Sequence, residues 1–265
     1  AGTDAPAGPD TPDTSDTPDT PDIPENPEDV GFGNGEEISQ AGIKWEDDFF
    51  SNIKHKIDMN KAVGISATDL LAKMQNRDGD NALKDGEVWV VTGELVLESG
   101  KKYYGNGAVI VAKKGIVIRD AVDVVLKDVV VEGELIIENS CELVFYKLDL
   151  TSEDVAVTMS GDCSDISFKT CRLYGNHAAV KGSADYLTIY KTYVRGNHAL
   201  QLKGDDITVQ DCKIVASTGA MTLEGDNCVV RENTLLVLSS GFGINVTGGS
   251  KNTLVALNDI QGVQK

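Results

Sequence analysis

From Glu87 onward one short pattern keeps returning, and it limits what the chain can fold into more than any other feature. Aligned on Val124, Leu143, Ile166, Leu187, Ile207, Cys228 and Thr253, the copies lie 19, 23, 21, 20, 21 and 25 residues apart. Two residues further on stand Leu126, Phe145, Phe168, Ile189, Val209, Val230 and Val255. Five residues on come Val129, Leu148, Cys171, Thr192, Cys212, Asn233 and Asn258, and seven residues on Val131, Leu150, Leu173, Val194, Ile214, Leu235 and Ile260. A unit of about 21 residues cannot bury its own apolar face, so such units must stack as a solenoid. Each coil then lays its strands about 4.8 Å above the previous ones, and like side chains form columns. A leucine-rich repeat competes at this period. It requires a Leu-x-x-Leu-x-Leu core with a helical return, and the β-branched residues on both sides of the bend argue against it.

Composition agrees with an all-β chain. Glycine is frequent, at 27 residues, and aromatic content is low, at 6%. The net charge of −18 disfavours nucleic acid and anionic lipid surfaces, both of which reward lysine and arginine. No apolar run approaches the roughly 18 residues of a membrane span.

The charge is unevenly spread. All seven prolines lie between Pro6 and Pro27, and residues 1–30 hold nine acids and no base. Residues 1–36, with their recurring Asp-Thr-Pro, read as a disordered acidic stalk that cannot bury enough apolar surface to offset its ordering entropy. This stalk is similar to the linker behind the lipidated cysteine of bacterial surface lipoproteins. The cysteine itself is not in this sequence, so a lipid anchor rests on that likeness alone, beside the plainer reading of a flexible tail.

Residues 37–86 read as a helical cap region. Ser66-Ala67-Thr68-Asp69 has capping-box spacing, and Ile65, Leu70, Leu71 and Met74 supply the apolar stripe of a helix within 60–76. A further helical piece is expected near Trp45 to Ile57. Residues 87–265 form the solenoid. Asn252 to Ile260 is still a full coil with no capping helix after it, so either the chain continues or the exposed edge is shielded by another chain or a crossing loop.

The entry to the solenoid resembles a known group. An amphipathic helix, then Asp85-Gly86-Glu87-Val88-Trp89-Val90, then Gly100 to Tyr104 and Gly105-Asn106-Gly107-Ala108-Val109-Ile110, looks like the start of a right-handed parallel β-helix of the pectate-lyase-like superfamily. The likeness covers roughly residues 60–265. It implies a secreted or cell-surface protein, outer-membrane-anchored if lipidated, that acts on polysaccharide. It leaves the reaction open, because that superfamily holds lyases, hydrolases, esterases, tailspikes and adhesins.

In such folds the outward column of the strand before each turn glycine forms the wall of the substrate cleft. Val157, Met159, Val180, Leu200, Leu202, Met221, Leu223, Ile244 and Val246 should point inward, and Thr158, Ser160, Ala179, Lys181, Gln201, Lys203, Thr222, Glu224, Asn245 and Thr247 outward. Gly175-Asn176-His177 and Gly196-Asn197-His198 should stack, with Lys181, Lys203 and Arg195 nearby. A polysaccharide lyase must neutralise a uronate, remove the adjacent proton and protonate the leaving oxygen. On this reading His198 or Lys203 is the base, Arg195 and Lys181 hold the carboxylate, and His177, Gln201 and Glu224 line the rest of the substrate site. The partner is then an acidic polysaccharide or oligosaccharide. The alternatives are a non-catalytic glycan-binding, adhesin or scaffold module, and simple stacking of turn histidines and solvated lysines.

Gly204-Asp205-Asp206 resembles the paired acids of polygalacturonase-type hydrolases, but the companion Asn-Thr-Asp and Gly-His-Gly segments are missing. Asp162, Asp185, Asp205 and Asp226 follow the turn glycines. Stacked carboxylates of this kind either hold Ca2+ or cap turns. Of the five cysteines, Cys141 and Cys163 are placed to pair or to remain small buried thiols, whereas Cys171 and Cys212 lie two coils apart. Self-association through the last coil remains open.

Overall fold

The computed structural model describes residues 57–239 and 241–262. The acidic stalk and, apart from Ile57, the helical piece expected at Trp45–Ile57 lie outside them. The described residues build an all-β parallel solenoid with one short α-helix and a single 3-10 turn at Met59–Lys61.

Every column read from the repeat is a column of the fold. Leu126 pairs with Phe145, Phe145 with Phe168, Phe168 with Ile189, Ile189 with Val209, Val209 with Val230 and Val230 with Val255, all in parallel register. Val131, Leu150, Leu173, Val194, Ile214, Leu235 and Ile260 form a second such series. Apart from Val255 and Ile260 on the last coil these side chains are buried, and each is worth about 1.5–3 kcal/mol of burial. Phe145 and Phe168 stack with ring centroids 4.6 Å apart.

Between the two series the chain turns on single left-handed residues. Asp128, Lys147, Thr170, Lys191, Asp211, Glu232 and Leu257 all have φ between 47° and 59°. A second left-handed series, Asp123, Glu142, Asp165, Tyr186, Asp206, Asn227 and Asn252, precedes the same short strands. Each short strand is thus bracketed by two left-handed turns. Half of these fourteen positions carry Asp or Asn, the residues that tolerate this region best.

Directly after the second bend, the small polar column turns inward. The Cys171 N–H donates to Thr192 Oγ1, the Cys212 N–H to Asn233 Oδ1 and the Asn233 N–H to Asn258 Oδ1. Buried side chains here therefore satisfy backbone groups that the corner leaves without sheet partners. The Cys171 thiol donates to the Phe145 and Lys169 carbonyls and the Cys212 thiol to those of Ile189 and Gln210, and burial pushes both thiols up to about 12. All five cysteines are free, so Cys141 and Cys163 do not pair: Cys141 stands opposite Ser164, and Cys163 donates to the Ser160 carbonyl instead.

The helix is Ala67–Met74. Ser66 Oγ accepts the Asp69 N–H at 3.1 Å and donates to the Asp69 carboxylate at 2.6 Å, a variation on the capping box. Leu70 and Met74 are fully buried and close the first coils of the core. The residues just before the helix are not helical. Ala62–Ile65 is a strand in register with Val88–Val91, so the ladder already begins there. At the other end Leu254–Ala256 and Asp259–Gly262 pair on one side only among the described residues, leaving Val255 44% and Ile260 50% exposed.

Candidate functional site

The outward face of interest lies on the strands Val155–Ser160, Ala178–Ser183, Tyr193–Lys203, Lys213–Glu224 and Phe242–Thr247. In register, Thr158, Lys181, Gln201, Thr222 and Asn245 make one outward column. Ser183, Lys203, Glu224 and Thr247 make a second, two residues along. Lys181 and Lys203 thus share a face but not a column. The inward set Val157, Met159, Val180, Leu200, Leu202, Met221 and Leu223 is buried.

One member of the outward set is inside. Ala179 is fully buried, as are Ala156, Ala199 and Ala220 on neighbouring coils. The neighbouring strand shifts register just before this position, between Gly196 and His198, so strict alternation is interrupted there. The glycine series is likewise not uniform. Gly182 stands opposite Met159 and Leu202 within the strand, with φ +143°, while Gly204 follows its strand with φ +136°, where an added Cβ would come within 2.2 Å of the Ala184 carbonyl oxygen.

At the corner the two Gly-Asn-His segments lie one above the other. The Asn197 N–H donates to the Asn176 carbonyl at 3.1 Å and the His198 N–H to the His177 carbonyl at 3.0 Å. His177 is exposed, whereas His198 is half-buried. His198 Nε2 lies 2.9 Å from Thr222 Oγ1, and its ring meets the edge of Phe242 at 5.3 Å and 85°. Burial, and then the charge of His177, hold the His198 imidazole below the ordinary histidine value. It is therefore neutral at pH 7 and able to accept a proton.

Phe242 reaches His198 because Gly219 lies between them. His198 pairs with Gly219 and Gly219 with Phe242, and a Cβ on Gly219 would come within 2.6 Å of the phenyl ring.

The remaining candidates spread around this corner. Gln201 Nε2 donates to the His198 carbonyl at 3.5 Å, which ties the Lys181 column to the corner. Lys181 is exposed and forms no ion pair with a described residue. Lys203 Nζ lies 2.8 Å from Glu224 Oε1, which holds the ammonium above its ordinary value and uses both residues on each other. Arg195 precedes the register shift at Gly196/His198 and lies 5.8 Å from the centroid of Tyr174. The structure therefore brings together His177, His198, Gln201, Thr222 and Phe242, with Lys181 on the adjoining column. It sets Lys203–Glu224 and Arg195 apart. Phe242 was not legible as a site residue, although one aromatic between Gly241 and Gly243 in an aromatic-poor chain is a signal of sorts.

Three of the four aspartates behind the turns cap backbone, whereas the Asp162 N–H itself donates to Asn139 Oδ1. Asp185 Oδ1 accepts the Asp205 N–H at 2.8 Å, Asp205 Oδ1 the Asp226 N–H at 2.8 Å and Asp226 Oδ1 the Lys251 N–H at 2.7 Å. Among the described residues no three His, Cys, Asp or Glu side chains converge on one point. No helix among them is long and apolar enough to cross a membrane.

No protein-family model matches the chain, and no curated protein sequence matches it. Among solved structures the chain is similar to the A-module of the mannuronan C-5 epimerase AlgE4 from Azotobacter vinelandii. The identity is 14% and the TM-score 0.32, over 77% of this chain and 85% of that one. The parallel solenoid itself rests on the ladders described above.

Proposed function

We propose that the protein is an extracellular, carbohydrate-active β-helix that engages an acidic polysaccharide along the outward face containing Lys181, Gln201 and Thr222. The observation that carries this reading is the corner at His198. A half-buried neutral imidazole, held by Thr222 and Phe242, stands beside a rigid outward column whose lysine has no acidic partner among the described residues. A base of this kind suits abstraction of the proton next to a uronate, with Lys181 and His177 meeting the carboxylate. The chemistry is then lyase-like, with His198 as base.

The pairing of Lys203 with Glu224, and of Arg195 with Tyr174, favours a second reading. Two of the three cations assigned to the reaction are engaged elsewhere, which suits a non-catalytic glycan-binding module. Under either reading the protein works in the secreted or surface-attached state, with the acidic stalk as its tether, anchored by lipid or not. Association through the edge of the last described coil belongs to the same picture.

One assay separates the readings. The chain and its His198→Ala variant are incubated with pectate, alginate and glycosaminoglycans, with calcium present, and absorbance from new unsaturated ends is followed. Product from the parent and a large loss in the variant establish the lyase. Binding without product on every polymer establishes the binding module, and neither binding nor product on any of them overturns both.

A further inference from the structure

A second outward column carries a regular pattern of a different kind. Tyr104, Lys127, Tyr146, Lys169 and Tyr190 occupy one register position on five successive coils. Their chain neighbours Tyr103, Leu126, Phe145, Phe168 and Ile189 are fully buried, so strand alternation places this column on the outer surface. Successive rungs are about 4.8 Å apart, which sets the tyrosines about 9.6 Å from one another with a lysine between each pair.

Two further lysines reinforce it. Lys147 and Lys191 sit in the left-handed turn directly after Tyr146 and Tyr190, and their ammonium groups lie 5.6 Å and 5.3 Å from the two ring centroids. None of the four lysines in the strip forms an ion pair with a described residue. The acids Asp123, Glu142 and Asp165 open the same short strands, about 13 Å away along them, while Asp128 and Asp211, in the turn column that holds Lys147 and Lys191, stand at the two ends of the strip. On a chain of net charge −18, this is a line of cations set between aromatic platforms.

We infer that the strip from Tyr104 to Tyr190 is a second binding site, for an extended uronate-containing oligosaccharide. Tyrosine offers a rigid, flat apolar face at low entropic cost, suited to the C–H face of a pyranose ring. In a two-fold extended β-1,4-linked chain alternate rings present the same face, and the alternate-rung spacing of the tyrosines matches that repeat. The lysines between them meet the carboxylates. The site stands whether or not the His198 corner acts on glycan. A single-stranded nucleic acid uses the same two kinds of contact, but it carries a phosphate at every step and would meet an acidic protein.

The test titrates the full chain by calorimetry with β-1,4-linked oligoglucuronates of increasing length, with a neutral cello-oligosaccharide of the same linkage and with oligothymidylate. The expected result is binding of the oligoglucuronate alone, strengthening with length until the ligand spans about 19 Å, the distance from Tyr104 to Tyr190. Tyr146→Leu and Tyr190→Leu, which keep apolar bulk, should each weaken it by up to about ten-fold. Lys127→Gln with Lys169→Gln should weaken it and flatten its salt dependence, with the parent's melting temperature retained. His198→Ala removes only what the corner itself contributes, so the strip variants should weaken binding by the same factor in a His198→Ala background. The inference is overturned if the parent does not bind, or if the strip variants bind as the parent does. Strip variants without effect in the His198→Ala background, or oligothymidylate binding as tightly as the uronate, overturn it equally.

Discussion

Phe168 lies flat on Phe145, with planes 11° apart and centroids 4.6 Å apart, in a buried column whose one other aromatic rung is Tyr103, beside Leu126. Both rings are fully buried, so each fills space that no neighbour can enter if it is removed.

Phe168→Ala should therefore destabilise the fold by about 3–5 kcal/mol. Phe168→Leu, which matches the Leu126 rung, should cost less. A double-mutant cycle with Phe145→Leu in urea unfolding should return about 0.5–1.5 kcal/mol of coupling. Additive losses would show that the rings merely occupy volume.

Asn233 is 1% exposed and satisfies three groups: it accepts the Cys212 N–H and donates to the Val209 carbonyl and to Asn258 Oδ1. Asn233→Ala leaves a buried N–H and a buried carbonyl unpaired and should cost about 2–4 kcal/mol in chemical denaturation. Asn233→Thr, copying the Thr192 rung, should recover part of that.

Thr170 is β-branched yet has φ 56°, where such residues pay a steric penalty. Its N–H donates to the Tyr190 carbonyl, a bond that no side-chain change removes. Thr170→Asn should raise stability by about 1 kcal/mol, measured by the denaturation midpoint at constant slope.

The lowered pKa of His198 makes stability depend on pH in one direction. Above the unfolded value near 6.5 both states hold the imidazole neutral and the contribution is fully present. As pH falls from there towards the lower folded value, the unfolded chain takes up the proton first and stability is lost. Melting temperatures between pH 5 and 8 should show this decline, and His198→Gln should make it shallower. An NMR titration should place the His198 midpoint below 6.5.

The columns at the first, third, sixth and eighth positions of the repeat were legible because apolar periodicity survives without any knowledge of the bends. The left-handed turns were not, because Lys147, Lys191 and Tyr186 are not residues that announce a positive φ. Ala179 was misread for a related reason: strict alternation fails where the register shifts, and four stacked alanines mark the place. The stacking of His177 and His198 followed from their spacing. The diversion of Lys203 to Glu224 did not, since it depends on a pairing across coils between side chains that each read as solvent-facing. The tyrosine–lysine alternation stands plainly in the sequence, but only once the coils are registered does it become a line.

The two left-handed bends in each coil have a consequence for how such a protein can change. They hold the short strand to one fixed length in all seven copies, from Asp123–Asp128 to Asn252–Leu257, so the differing coil lengths come from elsewhere. The slack collects at the turns on either side of the strand bearing Lys181, Gln201 and Thr222. One side of the coil thus behaves as a ruler and the other as a set of interchangeable margins. A loop exchanged there would redraw the walls around His198 without disturbing a single rung.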